Sequence, residues 1–416
     1  MDQKLRKKRY KIANKKEFSN VEKSMTKKKY PPMGCQHLYL LFLSAVLILA
    51  MLVGCGSSTA DLEAVDYTPL PGDDWQVSTP AEQGLDAMLV AEFYLNAAEL
   101  ETLYGLLVVK NGHLIAEGYF NEGTVEQKHY MASATKSYTS ALVGIALEQG
   151  CLSSPDQKMM DFFPEFADQI TDPRKEQITI RDLLKMRSGY VWEERTSPYM
   201  DALFSSRGYW LPFIVEFPLT SDPGSEYGYS NLTSHLLGVI VARACDTDLK
   251  SYGQENLFSP IGAEVGDWLQ DSDNYYYGSH GLASAARDRA KFGLLYLNNG
   301  EYQGNRILSA DWVEESLQRY AENIDISGWI PGITSEYGYY RDLGYGYQWW
   351  SAKAGDHYFN YASGHGGNQI ILLDELDMVI VTTADPLHYQ FGGEAWEKER
   401  AIIELVGEFI KSLPAE

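Results

Sequence analysis

The sequence predicts one mixed α/β unit, in which strands from both ends of the chain form a sheet around a large inserted helical block. Strand-like runs lie early, at Leu106–Val109 and His113–Tyr119, and again late, at Gln369–Leu373 and Met378–Thr383. Between about residues 130 and 340 the hydrophobic pattern is mostly helical. No period of 20–50 residues recurs, so a repeat architecture is not indicated.

The composition supports a sizeable buried core. Of 416 residues, 45% are hydrophobic and 13% aromatic, which argues against disorder. Residues 1–54 hold 12 of the 35 Lys and Arg but only 3 of the 57 Asp and Glu. The rest of the chain has 23 basic and 54 acidic residues, a formal charge of −31. A body this acidic repels nucleic acid, so we expect no nucleic-acid partner.

The N-terminus has the pattern of an export signal. A basic stretch leads into the apolar run Leu38–Val53, which is shorter than the roughly 20 residues of a membrane span. Leu52-Val53-Gly54-Cys55 resembles the lipobox of bacterial lipoproteins. We expect residues 1–54 to be a lipoprotein signal peptide and Cys55 the lipidated residue, with the protein exported and anchored on the periplasmic or cell-surface side of a bacterial membrane. The alternative is an uncleaved N-terminal membrane helix, and translation could start at Met25 or Met33.

The other cysteine pair and the histidines do not suggest a metal. Cys151 and Cys245 either form a disulfide in an oxidising compartment or remain two buried thiols. No Cys/His spacing resembles a zinc site, and the eight histidines include no H-E-x-x-H motif. We therefore expect neither a metal nor a cofactor.

The predicted elements follow in chain order. Residues 55–78 are rich in Ser, Gly, Pro and Asp and predict a tether. Thr79-Pro80-Ala81-Glu82 predicts a helix start, with an N-cap Thr, Pro at N1 and a capping-box Glu at N3. That helix carries the apolar residues Leu85, Met88, Leu89 and Phe93. Asn111-Gly112 is a hairpin turn signal between the two early strand-like runs.

Four further helices are predicted. They run from near Ser133 to Gln149, ending at Gly150, from Asn231 to about Ala244, over Ser284–Leu297, and over about Glu394–Leu413. We assign 79–416 to one domain, with an α/β part at about 79–128 and 341–416 and a helical part at about 129–340. Active sites often form in the cleft between two such parts.

The first candidate motif is Met131-Ala132-Ser133-Ala134-Thr135-Lys136. A Ser at a helix start and a Lys three positions later lie one turn apart on one face. The helix N-terminus favours an oxyanion beside the serine, and a desolvated Lys can accept the hydroxyl proton. Ser24-Met25-Thr26-Lys27 has the same short pattern, but it lies in the export segment, whereas Ser133 begins an apolar helix. Taken alone, the short pattern favours a plain N-cap at Ser133 over a nucleophile.

Two other segments contain groups that could complete such a site. In Pro223–Asn231, a turn-rich loop before a helix, the Tyr229 phenol could shuttle a proton and the Asn231 amide could orient its neighbours. The alternative is a buried tyrosine with one hydrogen bond.

In Ser363–Asn368, glycines before an apolar strand allow close approach of a ligand to the backbone. The alternative is a glycine-rich loop with a solvated histidine.

In this order, the three segments resemble those of the serine β-lactamase/D-alanyl-D-alanine peptidase superfamily. The closer resemblance is to the class C β-lactamase-like branch, with its esterases and 6-aminohexanoate-dimer hydrolases. It covers roughly residues 79–412 and extends to Ile178–Leu184, Gly281–Asn298 and Gly344–Trp350. It implies an α+β fold, an antiparallel sheet flanked by N- and C-terminal helices, with a large all-α insertion.

The resemblance also implies roles for individual residues. Ser133 matches the acylated serine, Lys136 its base and Tyr229 the proton shuttle, while Asn231 matches the residue that orients Lys136 and the substrate. His365-Gly366-Gly367 falls where the family has Lys-Thr-Gly, and the main-chain N–H of Asn368 would complete the oxyanion hole with that of Ser133. The aromatic residues Tyr190, Trp192, Tyr345 and Trp349 are candidates for the pocket lining or for the core.

The departure from Lys-Thr-Gly bears on the substrate. His365 is a weaker, pH-dependent cation than Lys, and Gly366 lacks the Thr hydroxyl. We therefore expect a serine hydrolase that cleaves an ester or amide through an acyl-serine intermediate, rather than an efficient penicillinase. The alternatives are a cell-wall D-peptidase or weak β-lactamase, and a non-catalytic surface lipoprotein that binds a ligand in the same cleft.

Overall fold

A seven-stranded antiparallel sheet organises the part of the chain that this computed structural model describes, residues 58–72, 74–327, 338–386 and 393–415. Its strand order is β2-β1-β11-β10-β9-β8-β7. The strands are β1 Leu103–Lys110, β2 His113–Tyr119, β7 Arg341–Tyr345, β8 Trp350–Ala354, β9 His357–Gly364, β10 Asn368–Leu373 and β11 Met378–Ala384. The predicted antiparallel sheet and α+β fold are confirmed.

An early strand, β1, and a late strand, β11, pair with each other inside the sheet. β1 pairs with β2 through a tight turn, in which Asn111 and Gly112 both have positive φ, of 50° and 74°. Such a turn matches the twist of the paired strands. The other edge of β1 pairs with β11 along its whole length, so strands that are more than 250 residues apart become neighbours.

Eight of the α-helices that the structure describes lie between β2 and β7. They are α3 Thr135–Glu148, α4 Ile180–Leu184, α5 Ser197–Ser205, α6 Phe213–Glu216, α7 Asn231–Ala244, α8 Leu249–Gly253, α9 Ala286–Leu297 and α10 Ala310–Leu317. Short strands pair as β3 His129–Tyr130 with β4 Ala283–Ser284, and as β5 Glu301–Tyr302 with β6 Asn305–Arg306. The predicted boundaries of the two parts stay a prediction.

Two hydrophobic clusters cover the two faces of the sheet. On one side, α3 and α9 pack through Tyr138 and Phe292, whose rings stack at 3.8 Å. On the other, helix α2 (Ala87–Ala97) meets helix α11 (Gly393–Ser412) through Phe93 and Phe409, which stack at 4.1 Å. Because both faces are covered, β1 and β11 are buried almost throughout.

The first predicted helix begins later than expected. Thr79 and Glu82 do form the capping hydrogen bonds, but on a single 3₁₀ turn, Ala81–Gln83, that ends at Gly84 with φ +75°. Asp86 then caps α2 by accepting from the Met88 N–H. The left-handed glycine therefore splits the predicted helix in two. Met88, Leu89 and Phe93 belong to the second part, whereas Leu85 lies between the two.

The described part of the predicted tether packs against the domain. After a short helix, α1 (Thr59–Glu63), the chain is held by Arg287. The Arg287 guanidinium forms a bidentate pair with Glu117, at 2.8 and 2.7 Å, and also donates to Asp74 and to the Leu70 carbonyl, both at 2.7 Å. The Ser, Gly, Pro and Asp content predicted a tether, and the Arg287 contacts hold its described part against the domain.

Cys151 and Cys245 are free, half-buried thiols beside the helical core. Among the described residues, no helix has both the length and the apolar character that crossing a bilayer requires. The run Leu38–Val53 and Cys55 lie outside those residues, so the predicted signal peptide and lipidation site stay predictions.

Candidate active site

Ser133 lies in a 3₁₀ turn, Ala132–Ala134, that leads directly into helix α3. The residue before it, Ala132, has a φ of +47°. A non-glycine residue in this region costs about 1–3 kcal/mol, and such strain clusters at functional sites. The Thr135 hydroxyl holds the turn by donating to the Ala132 carbonyl at 2.8 Å. The strained turn places Ser133 at the wall of a cleft.

Lys136 is buried one turn later and is fully hydrogen-bonded. Its Nζ donates to Ser133 Oγ at 3.0 Å, to Asn231 Oδ1 at 2.9 Å and to the Ser279 carbonyl at 2.8 Å. Burial lowers the pKa of Lys136 to about 8, although the charges of Glu194 and Glu193 act in the opposite direction. The ammonium therefore loses its proton far more readily than an exposed Lys.

Tyr229 and Asn231 reach the same place from the start of helix α7. Ser230 caps this helix by accepting from the Thr233 N–H. Tyr229 is 2% exposed, and its ring centroid lies 4.9 Å from the Lys136 Nζ. Burial raises the pKa of Tyr229 well above its usual value, while a hydrogen bond with the Ser133 side chain lowers it. Alcohol, amine, phenol and amide thus converge, as the motifs predicted.

Sequence reasoning missed two carboxylates that support this arrangement. Glu193 is fully buried and accepts from Ser230 Oγ at 2.7 Å and from the Asn231 N–H at 3.1 Å. Burial raises the pKa of Glu193 to about 7. Glu194 Oε1 accepts from Asn231 Nδ2 at 2.7 Å, so both ends of the Asn231 amide are held. A signal existed, because both residues follow Trp192, a candidate pocket residue.

The glycine-rich turn contributes one of its predicted residues to the cleft lining. Ser363, Gly364 and His365 line the cleft, whereas Gly366, Gly367 and Asn368 do not. The Gly366 N–H donates to Glu399 at 2.9 Å and the Gly367 N–H to the Gly364 carbonyl at 3.3 Å. The lining therefore includes His365, as predicted, together with the two residues that precede it.

Asn368 begins β10, which contacts the Ala132–Ala134 turn. Its side chain is fully buried, accepts from Arg289 Nη1 at 2.8 Å and donates to the His365 and Ala384 carbonyls at 3.0 and 3.1 Å. These contacts tie β10 to β11 and to α9. The Asn368 side chain is therefore structural, and the oxyanion role predicted for its main-chain N–H stays a prediction.

Gly364 is where the strand meets the Ser133 turn. A Cβ atom built at this position would lie 1.9 Å from the Met131 carbonyl oxygen and 3.1 Å from the Ala134 nitrogen. Only glycine permits so close an approach of β9 to the turn that holds Ser133. The main chain of residues 363–365 is thereby brought against the nucleophile.

His365 is paired with a carboxylate that sequence reasoning did not find. Its Nδ1 lies 2.6 Å from Glu399 Oε2, and both side chains are 7% exposed. Trp396 packs edge-on against the imidazole at 4.8 Å. Glu399 lies on helix α11, 34 residues away, so local sequence gave no signal. Any positive charge on His365 is balanced by its partner.

The cleft has a volume of about 230 Å³ and a largely aromatic and aliphatic wall. The four predicted aromatic candidates do not line it. Trp349 packs in the core against Tyr296 at 4.6 Å, while Trp192 and Tyr345 pack behind Tyr229. The aromatic residues that do line it, besides Tyr229, are Phe204, Trp210, Tyr277, Trp350, Tyr361 and Trp396.

Comparison with known proteins identifies the family. The model of the family described as Beta-lactamase matches residues 104–402. The chain belongs to the beta-lactamase family. As a member of that family it is a serine hydrolase, acting on a small-molecule or peptide substrate.

Among the described residues, no group of three or more His, Cys, Asp or Glu side chains could hold a metal ion.

Curated relatives of this beta-lactamase family member include hydrolases. The 6-aminohexanoate-dimer hydrolase of Paenarthrobacter ureafaciens is 24% identical over 287 residues, 66% of this chain and 71% of that protein. The N-acetylmuramyl-L-alanine amidase of Bacillus subtilis (strain 168) is 27% identical over 180 residues, 38% of this chain and 40% of that protein. A protein of Escherichia coli (strain K12), 33% identical over 138 residues, is covered over only 32% of its length.

Solved structures share the fold. EstCE1, a hydrolase with promiscuous acyltransferase activity, superposes with a TM-score of 0.61 at 14% identity, covering 78% of this chain and 98% of that one. A penicillin binding protein from Bacillus halodurans gives 0.56 at 17% identity, covering 76% and 99%. These likenesses show the beta-lactamase family fold.

Proposed function

We propose that the protein hydrolyses an ester or amide through a covalent acyl-enzyme on Ser133. The Ser133 hydroxyl attacks the carbonyl carbon and its proton passes to the neutral Lys136 amine. When the tetrahedral intermediate collapses, the leaving alcohol or amine takes a proton delivered through Tyr229. A water molecule then attacks the acyl-serine, releasing the carboxylic acid and restoring the hydroxyl.

The observation that carries this proposal is the hydrogen bonding of Lys136. A neutral amine has two N–H groups and one lone pair. The Asn231 Oδ1 and the Ser279 carbonyl can only accept, so they take the two N–H groups. The lone pair is then directed at Ser133 Oγ, 3.0 Å away. A pKa lowered to about 8 leaves a useful fraction of the base neutral near neutral pH.

We assign the oxyanion hole to the main-chain N–H groups of Ser133 and His365. This assignment uses the His365 N–H where the sequence predicted that of Asn368, and it is supported by the approach of Gly364 to the Ser133 turn. The contacts of His365 and Gly366 with Glu399 hold this main-chain segment in place. A well-placed oxyanion donor contributes about 10²–10³ in rate.

The cleft favours substrates without a carboxylate near the reacting bond. Among its described lining residues none is Lys or Arg, and His365 is paired with Glu399. Penicillins and peptides ending in D-alanine carry such a carboxylate. We therefore place ester or amide hydrolysis ahead of D-peptidase or β-lactamase activity.

A labelling experiment tests the catalytic proposal. The wild-type protein is expected to hydrolyse a p-nitrophenyl ester and to be labelled by a fluorophosphonate, and Ser133→Ala should lose both. Ser153→Ala is a matched control, because Ser153 is an exposed serine outside the cleft. Labelling that survives Ser133→Ala removes Ser133 from the mechanism. Stoichiometric labelling without turnover would instead favour a ligand-binding protein.

We also propose that the protein is exported and lipid-anchored through Cys55. The support is the basic stretch, the apolar run Leu38–Val53 and the Leu-Val-Gly-Cys sequence that follows. Metabolic labelling with a fatty-acid analogue should mark the wild-type protein, and Cys55→Ala should abolish the label. A label that persists in Cys55→Ala, or an uncleaved N-terminus in mass spectrometry, contradicts this proposal.

A further inference from the structure

We propose that the cleft selects substrates with a cationic group, an ammonium or quaternary ammonium, and that Glu194 is the carboxylate that recognises it. The inference rests on the proposed hydrolase function and specifies its substrate class. It follows from the charge of the cleft, the position of Glu194 beside the catalytic residues and the aromatic side chains that line the same cleft.

The described residues of the cleft carry an excess of negative charge. Glu194 and Glu399 are the two acids that line it, and Lys and Arg are absent from that lining. The Glu399 charge is engaged with His365 at 2.6 Å. The second lining histidine, His280, is neutral, because burial lowers its pKa to about 3. The charge that a ligand meets is therefore mainly that of Glu194.

Glu194 is held at the cleft without a direct ion pair; its charge acts on Lys136 only across the Asn231 amide, and Lys136 is neutral in the reactive form proposed above. Asn231 Nδ2 donates to its Oε1 at 2.7 Å, which fixes the carboxylate beside the Lys136 site. The neighbouring Arg195 turns away, with its guanidinium 4.1 Å from the Trp192 ring and a hydrogen bond to the Ser327 carbonyl at 3.0 Å. Among the described residues, Glu194 forms no ion pair within 4 Å. It remains available to a ligand cation.

The wall of the cleft is suited to the same ligand. Trp210, Trp350 and Tyr361 line it together with Glu194. Aromatic faces attract ammonium groups, most strongly when water is excluded, and they bind the methyl groups of quaternary ammonium ions. The chain beyond residue 54 carries a formal charge of −31, which also attracts cations during encounter. A carboxylate within an aromatic wall thus predicts a cationic substrate.

Charged substrates and their uncharged isosteres test the inference on the full chain in neutral detergent. One pair, butyrylthiocholine and 3,3-dimethylbutyl thiobutyrate, carries the charge in the leaving group. The other, the p-nitrophenyl esters of 4-(trimethylammonio)butyrate and 5,5-dimethylhexanoate, carries it in the acyl group. We expect the ratio of kcat/KM, cationic over neutral, to be about tenfold or more in at least one pair.

Glu194→Gln should reduce that ratio to near one, since the amide keeps the shape and removes the charge. Because Glu194 contacts Asn231, Glu194→Gln can also lower activity on every substrate. Such a general loss cancels in the ratio of kcat/KM, which is therefore the readout. Glu264→Gln, which removes one exposed charge outside the cleft, should keep the wild-type ratio.

The outcomes separate the inference from the proposed function. Ratios near one in both pairs, with hydrolysis that still requires Ser133, overturn the cationic specificity and leave the hydrolase proposal standing. A high ratio that persists in Glu194→Gln overturns the role of Glu194. Absence of Ser133-dependent hydrolysis of every ester overturns the proposed function itself.

Discussion

Gly364→Ala is the most direct test of the geometry around the nucleophile. The φ of Gly364 is outside the left-handed region, so alanine fits its backbone conformation. The obstacle is contact, since the new Cβ would lie 1.9 Å from the Met131 carbonyl oxygen. A carbon and a carbonyl oxygen approach to about 3.3 Å, so strand β9 and the Ser133 turn must separate by about 1.4 Å.

This separation should affect catalysis more than folding. A misplacement of about 1 Å at a reacting centre costs about 10²-fold, and loss of an oxyanion donor costs about 10²–10³-fold. We therefore expect kcat to fall by about 10²–10³-fold with a smaller change in KM. The two rate losses do not multiply, because the movement that misplaces the reacting centre also withdraws the His365 N–H.

Hydrolysis of a p-nitrophenyl ester gives kcat and KM, and thermal unfolding gives the stability of the same preparation. Gly253→Ala is the matched control, because Gly253 has helical φ and ψ of −63° and −43°. A Cβ there would meet only side-chain atoms, at 3.3 Å or more. If Gly364→Ala keeps the wild-type kcat while its melting temperature is unchanged, β9 does not lie against the reacting centre as described.

The remaining predictions concern Lys136, Glu194 and Arg287. Because burial lowers the pKa of Lys136 and the base must be unprotonated, kcat/KM should rise with pH through about 8 and then level; a midpoint near 10.5 would contradict the buried amine. Glu194→Gln should move that midpoint lower, since the Glu194 charge raises the pKa of Lys136. Arg287→Met should lower the free energy of unfolding by about 3–5 kcal/mol in urea titrations, because it leaves the Glu117 carboxylate buried without a cationic partner. Adding Glu117→Gln should recover part of that loss, and no recovery would mean that the ion pair is not the cause.

The sequence alone predicted the elements with a strong local pattern. Helix α7 begins at Asn231 and ends at Ala244, as its apolar pattern indicated. The hairpin at Asn111-Gly112 followed from a turn that needs two residues with positive φ. The first helix was misplaced, because a capping box specifies a helix start but not its length, and Gly84 interrupts it.

The same distinction applies to the site. Ser133 and Lys136 are one helical turn apart whatever the rest of the chain does, so their proximity was determined by sequence. Only the tertiary structure decided that Gly364 meets the Ser133 turn, because that depends on how β9 ends and packs. It also brought Glu399 to His365 and buried Glu193 under α7. Such contacts join residues far apart in the chain, and burial, which sets their charge and pKa, exists only once the chain is folded.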